Sequence, residues 1–210
     1  MIQSVAAQFN AGGAFMWVIL AAFTVGFAVM LERIFYFFVY CSGDSLKPAQ
    51  KILYHLQKGE AQEALKVANR RKTPLHRLLQ SAIAKYVSGA SVEKITESVE
   101  QSAIRELPRL SKRINYLSLV ANVATLLGLL GTITGLQVSF GSLANVDAAQ
   151  KASMLANGIA QAMNTTAFGL IVAVPCMVMY TVLSNKQQEL VRVADESISQ
   201  VVTTIKEMRA

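Results

Sequence analysis

Thr125-Leu126-Leu127-Gly128-Leu129-Leu130-Gly131-Thr132-Ile133-Thr134-Gly135 sits inside a run, Ile114 to Val146, that carries no Asp, Glu, Lys or Arg. Gly128, Gly131 and Gly135 fall on one helical face. Gly131-xxx-Gly135 is the small-xxx-small spacing that lets membrane helices approach closely. A bilayer core needs roughly 20 apolar residues in a helix, so the run predicts a membrane span over 114–140. Working outward, two more segments qualify. Residues 14–40 are interrupted only by Glu32-Arg33, and residues 156–184 lie in a second charge-free stretch between Lys151 and Lys186. Buried helices of a large soluble protein can be this apolar, but three such runs in 210 residues argue against that reading. Composition agrees: 53% of the chain is apolar and 16% charged, against about 25% charged in soluble domains. The expected fold class is all-α integral membrane, with three transmembrane helices and long cytoplasmic helical extensions.

Basic residues in the loops set the orientation. Of 20 Lys plus Arg, fourteen lie in residues 41–113 and four in 185–210. Lys151 alone falls in 141–155, Arg33 lies in the first span, and residues 1–13 have none. The expected order is an outer N-terminal segment 1–13, transmembrane helix 14–40, cytoplasmic helical region 41–113, transmembrane helix 114–140, a short outer loop 141–155, transmembrane helix 156–184 and a cytoplasmic helical tail 185–210. The first apolar run lacks the basic start of a secretory signal and reads as a retained anchor. The net charge of +7 then reads as topology and attraction to membrane lipid. No aromatic–basic interleaving points to nucleic acid. Cys41 and Cys176 form no metal or disulfide pattern. His55 and His76 lie in the charged region, and no Walker-type glycine loop is present. No enzyme activity, cofactor or metal is expected.

The cytoplasmic region reads as helices. Leu46, Ile52, Leu53 and Leu56 precede a stop at Lys58-Gly59. Glu60 to Leu65 opens a second helix with acidic residues in its first turn. Pro74 suits the start of a third, with Leu75, Leu78, Leu79 and Ile83 at helical spacing and Gly89 as its end. Ser91 fits an N-cap. From there Val92, Ile95, Val99, Ala103, Leu107, Leu110, Ile114 and Leu117 step by three and four without a break. This predicts one long helix entering the second span, with Pro108 as the candidate bend. Ala194, Ile198, Val201, Ile205 and Met208 form a matching stripe in the tail. Either stripe suits packing within one subunit or between subunits.

The third span carries Gly158, Ala162, Thr165, Thr166, Gly169 and Ala173 in similar spacing, then Pro175. For any single threonine, a bond to its own backbone one turn back is the prior expectation. The functional case rests on combination. Thr132, Thr134, Gln161, Asn164, Thr165 and Thr166 are many polar groups for lipid-facing helices, and such groups usually face a bundle interior or a water-filled path. Glu32-Arg33 is the one ionic pair inside a span. It reads first as structural, by snorkelling to the headgroups or by Glu32 meeting a basic residue of another helix.

At these residues the chain resembles the MotA/TolQ/ExbB proton-channel family. Residues 126–136 are similar to the family's LLGLLGTVxG signature. Residues 158–170 with Ala173-Val174-Pro175 resemble its GIAEALxxTAxGLxxAIP signature, and Glu32-Arg33 matches its acidic–basic interface pair. Three spans fit the ExbB/TolQ branch better than the four-span MotA branch. The resemblance implies a homopentameric ring in a bacterial inner membrane, with a periplasmic N-terminus and a cytoplasmic C-terminus. It implies a lumen holding a dimer of an ExbD/TolR-like single-span protein that carries the titratable Asp. By position, Thr132, Thr166 and Gln161 take the ion-pathway places, and Gly128, Gly131, Gly135 and Gly169 the helix-packing ones. Gln161 stands where the family usually has Glu, and glutamine cannot exchange a proton. The implied role is the proton-channel stator subunit of an energy-transducing motor, working with a TonB/TolA-like or motility component. The alternative is a non-conducting oligomeric scaffold of the same fold. The sequence leaves open which machine is driven and whether the ion is H⁺ or Na⁺.

Overall fold

The structure, a computed structural model, describes residue 9 and residues 12–42, 44–143 and 147–209. Among these, every regular element is a helix. In chain order they are α1 (Ala14–Phe35, continued by a π turn Tyr36–Tyr40), α2 (Lys47–Gln57), α3 (Ala61–Ala68), α4 (Pro74–Val87), α5 (Val92–Ser111), α6 (Ile114–Ser142) and α7 (Ala148–Glu207). Among the described residues, three helical stretches are long and apolar enough to cross a bilayer, within Ala14–Tyr40, Val92–Ser142 and Gln150–Glu207.

The chain divides into two compact units. The first holds residues 1–32 and 113–181. Its core is Ile19 on α1, Val120, Ala121 and Ala124 on α6, and Val172, Ala173 and Cys176 on α7. Gly26 admits α1 to this core. A Cβ there would lie 2.8 Å from Val120 Cγ1 and 3.2 Å from Cys176 Sγ. The outward faces are the bulky apolar ones, among them Leu126, Leu129, Ile133 and Val138 on α6 and Met163, Ile171 and Val174 on α7. A surface of that kind matches lipid or neighbouring helices rather than water.

The second unit holds residues 33–112 and 182–210. Its core joins Ile52 and Leu56 of α2, Leu78, Leu79 and Ile83 of α4, Ile95 and Val99 of α5, and Ala194, Val201 and Ile205 of α7. Ile95 and Val99 of one stripe and Ala194, Val201 and Ile205 of the other therefore pack within this unit, while Met208 is exposed. Local signals placed the breaks. Pro74 starts α4, Gly59 and Gly89 take positive φ after α2 and α4, and Ser91 Oγ accepts the Lys94 N–H at 3.5 Å.

Two expectations are corrected. The helix from Val92 does not run unbroken into the second span. It ends at Ser111, and Arg113 takes φ 66° before α6 begins. Pro108 is absorbed inside α5. The interruption falls where a non-glycine residue adopts the left-handed conformation, which costs roughly 1–2 kcal/mol and ends the hydrogen-bond ladder. The segment 141–155, expected as a loop, is largely helical: α6 continues to Ser142 and α7 already begins at Ala148. Residues 144–146 lie outside the described residues, as do 1–8. The charge of Asp147 and Lys151 marks a polar stretch, and polarity alone does not stop a helix.

Candidate functional site

The site is a seam between α6 and α7, built from residues that lack bulk. A Cβ on Gly128 would lie 3.3 Å from Thr166 Cα and 3.4 Å from Thr165 O. One on Gly135 would lie 3.2 Å from Ala162 Cβ. One on Gly169 would lie 2.7 Å from Ala124 O and 3.1 Å from Gly128 Cα. Gly131 faces the Thr165 side chain, and Gly158 faces Ser139. Van der Waals contact between backbones is the attraction available to helices in lipid, where burial of apolar surface adds little. The four glycines singled out in the sequence are all on this seam. Ser139 extends the line Gly128, Gly131, Gly135 by four more residues. Its spacing was readable, but serine among phenylalanine and glycine at 139–141 gave no sign that it is buried.

The hydroxyls are fixed by backbone carbonyls. Thr132 Oγ1 donates to Leu129 O at 2.6 Å, and Thr134 Oγ1 to Leu130 O at 3.0 Å. These are the local bonds expected of threonine in a helix. Thr166 is different: its Oγ1 donates across the seam to Gly128 O at 2.9 Å. Gly128 O is the carbonyl that α-helical geometry pairs with the Thr132 N–H. Thr132 and Thr166 are therefore about one helical turn apart on the same seam, both partly exposed.

Gln161 lies elsewhere on α7. Five residues separate it from Thr166, which is about 140° around a helix. A side chain on Gly13 would collide with its amide. Beside it, Thr165 is 1% exposed and its Oγ1 reaches both Gln161 O at 2.9 Å and Gly12 O at 3.0 Å. The structure thus groups Gln161 with Thr165 and the residues just before α1, and groups Thr132 with Thr166. The contact to Gly12 spans 153 positions and had no signal in the sequence.

Glu32 does meet a basic residue, Arg113, at the N-cap of α6. Arg113 Nη1 donates to Glu32 Oε2 at 2.6 Å, with both side chains nearly half exposed. That hydrogen bond, and then the charge behind it, push the Arg113 pKa further up. Arg33 is buried, and its guanidinium sits 5.0 Å from the Tyr36 ring centroid. The left-handed turn at Arg113 is what delivers its side chain to Glu32. Among the described residues, no group of three or more His, Cys, Asp or Glu could hold a metal ion.

A family model described as the MotA/TolQ/ExbB proton channel family matches residues 70–196. That is more than half of the chain, and it includes Thr132, Gln161, Thr166 and the seam glycines Gly128, Gly131, Gly135, Gly158 and Gly169. The chain belongs to this family. It is a multi-pass membrane protein. A putative biopolymer transport protein ExbB homolog of Methanothermobacter thermautotrophicus is 27% identical over 180 residues, covering 85% of this chain and 62% of that protein. The Tol-Pal system protein TolQ of Pseudomonas aeruginosa is 32% identical over 102 residues, 49% of this chain and 44% of that one. The biopolymer transport protein ExbB of Pseudomonas putida is 30% identical over 131 residues, 59% and 39% respectively. The chain thus spans under two thirds of the length of these relatives.

Proposed function

We propose that the chain is the ring-forming subunit of a proton-driven motor in a bacterial inner membrane. Several copies, five by family resemblance, surround two membrane helices of an ExbD/TolR-like partner. The N-terminus is periplasmic and the C-terminus cytoplasmic, as the loop charges suggest. Work passes to a TonB/TolA-like or motility component. The observation that carries this reading is the bond from Thr166 to Gly128 O, one turn from Thr132. It joins the two family helices into one wall element with two hydroxyls at its edge and no Asp, Glu, Lys, Arg or His between Arg113 and Asp147 or between Lys151 and Lys186.

A carboxylic acid on a partner helix costs least in such a wall when neutral. Proton-motive force of 100 mV supplies about 2.3 kcal/mol per charge moved, enough to bias its protonation from one side. The test is proton flux into liposomes holding both proteins, with and without the partner's Asp changed to Asn. Flux that depends on the Asp supports the reading, and equal flux in both ends it.

A non-conducting scaffold is the second reading. What favours it is Gln161, which occupies the family's usual Glu position and packs against the start of α1. Thr166→Val separates the two. A scaffold tolerates it in full, whereas a motor subunit assembles normally and loses Asp-dependent flux.

A further inference from the structure

Four basic side chains of the second unit converge on one small cleft. Lys47 and Lys51 stand one turn apart on α2, and Arg70 and Arg71 follow α3. Together with Ser45 and His76 they line a cavity of about 250 Å³. None of its lining residues is acidic. Among the described residues, no carboxylate forms an ion pair with any of the four cations. The larger cleft nearby differs, because its Arg77 and Arg109 are already held by Glu106 at 3.0 and 2.8 Å. Concentrated charge of one sign repels itself and is relieved by a bound counter-ion.

The cleft is built on a rigid floor. Thr73 Oγ1 donates to Asp44 Oδ1 at 2.7 Å and lies 3.0 Å from His76 Nδ1. With the hydroxyl proton directed at Asp44, His76 Nδ1 is the donor to Thr73. The Asp44 and His76 side chains are 3% and 4% exposed. This buried cluster locks the segment before α2 to the segment after α3. The two arginines and two lysines are thus held near one another without a ligand.

Its depth is set by the first membrane helix. Tyr40, the last residue of the first apolar run, donates its hydroxyl to Lys72 O at 2.7 Å. Arg71 is the adjacent residue, and Ser45 follows Tyr40 by five, a reach of at most about 18 Å. A membrane span that ends at Tyr40 would leave Ser45 within that reach of the headgroup layer. It is smaller than the roughly 300–1,000 Å³ of sites for drug-sized ligands, which suits a phosphate ester and not a nucleotide. Guanidinium forks match phosphate oxygens bidentately, with lysines as additional point charges.

We propose that Lys47, Lys51, Arg70 and Arg71 bind the phosphate of an anionic phospholipid headgroup. The site needs no ion conduction and shares no residue with the α6–α7 seam. The test titrates dioleoylphosphatidylglycerol, dioleoylphosphatidylcholine or inorganic phosphate into the full chain in dodecyl maltoside, reading the melting temperature and the bound lipid by native mass spectrometry. The expected result is tight binding of phosphatidylglycerol alone. Arg70→Gln weakens it about fivefold, and K47Q/K51Q/R70Q/R71Q about a hundredfold or more. A variant with the same charge loss elsewhere, K58Q/K85Q/K94Q/K206Q, stays within about twofold of wild type because a local site ignores distant charge. Equal loss in that control overturns the site in favour of bulk charge. Equal response to inorganic phosphate overturns the lipid as its source, and no preference for phosphatidylglycerol overturns both. Should the fourfold site variant fail to fold, Arg70→Gln, which alters one exposed side chain, decides the matter.

Discussion

Gly169→Ala tests the seam most directly, because its new methyl meets backbone rather than a movable side chain. The Cβ would stand 2.7 Å from Ala124 O and 3.1 Å from Gly128 Cα, where ordinary contact begins at 3.4 Å. Relief requires α6 and α7 to part by about 0.7 Å at this level. Carried fully along the Thr166–Gly128 bond, now 2.9 Å, that motion opens it to about 3.6 Å, outside hydrogen-bond range. Overpacking of this kind costs about 1–3 kcal/mol, and an interhelical bond in a membrane is worth about 0.6 kcal/mol. Alanine returns about 1 kcal/mol through helix preference. The net expectation is a loss of about 0.6–2.6 kcal/mol. Gly141→Ala is the matched control near the end of α6, since its Cβ would meet nothing within 4 Å. It should be neutral or stabilising by up to about 1 kcal/mol. The assay is unfolding of detergent-solubilised protein by sodium dodecyl sulfate, followed by circular dichroism. Gly169→Ala as stable as wild type, or both variants equally weakened, refutes the close approach of the two helices.

Glu32→Gln removes the partner of Arg113. Because both side chains are substantially exposed, the stability loss should be small and should vanish in high salt, read by the same unfolding assay at two ionic strengths. Burial, then the neighbouring Asp44 charge, push the Cys41 thiol up to about 12 from its ordinary 9.0. Native protein at pH 8 should resist iodoacetamide at Cys41 and react only after denaturation, read by mass spectrometry. A raised folded value also means that the thiol's contribution to stability is complete below pH 9 and is lost as pH climbs from 9 toward 12. Ser197 is fully buried and its Oγ has no hydrogen-bond partner among the described residues. Ser197→Ala should therefore stabilise the chain by about 1 kcal/mol in thermal unfolding, and a loss of that size contradicts the assignment.

Periodicity and breaker chemistry made most helices legible. Pro74, Gly59, Gly89 and Ser91 act through neighbours within four residues, so sequence spacing suffices to read them. The seam was legible for a similar reason, since close helix approach demands small side chains in register. Three features were not. The break at Arg113 is a backbone torsion of a residue with no local preference for it, and the side chain it carries pairs with Glu32, 81 positions away. The Asp44–Thr73–His76 cluster joins Asp44 to residues 29 and 32 positions away. The split of Gln161 from Thr166 was implicit in their spacing of five, yet both read as polar residues of one span. Which side of a helix faces which neighbour is decided by tertiary packing, and polarity does not report it.

The hydrogen-bond inventory of the seam bears on how the proposed wall would treat a partner's acid. A threonine hydroxyl has one proton to donate and lone pairs to accept. Thr132 gives its proton to Leu129 O, and Thr166 gives its proton to Gly128 O. Both oxygens keep accepting capacity. A protonated carboxyl can donate to such an oxygen, whereas an ionised carboxylate needs donors that these two groups have already committed. Under the proposed role the wall would then hold the neutral acid and reject the charged one by hydrogen bonding as well as by low dielectric. This is why Thr166→Val should leave the ring assembled and still abolish flux. Valine keeps the volume and removes the acceptor. Thr166→Ser, which keeps that acceptor and its bond to Gly128, should preserve flux. If serine fails as completely as valine, the hydroxyl is not what the passing acid uses.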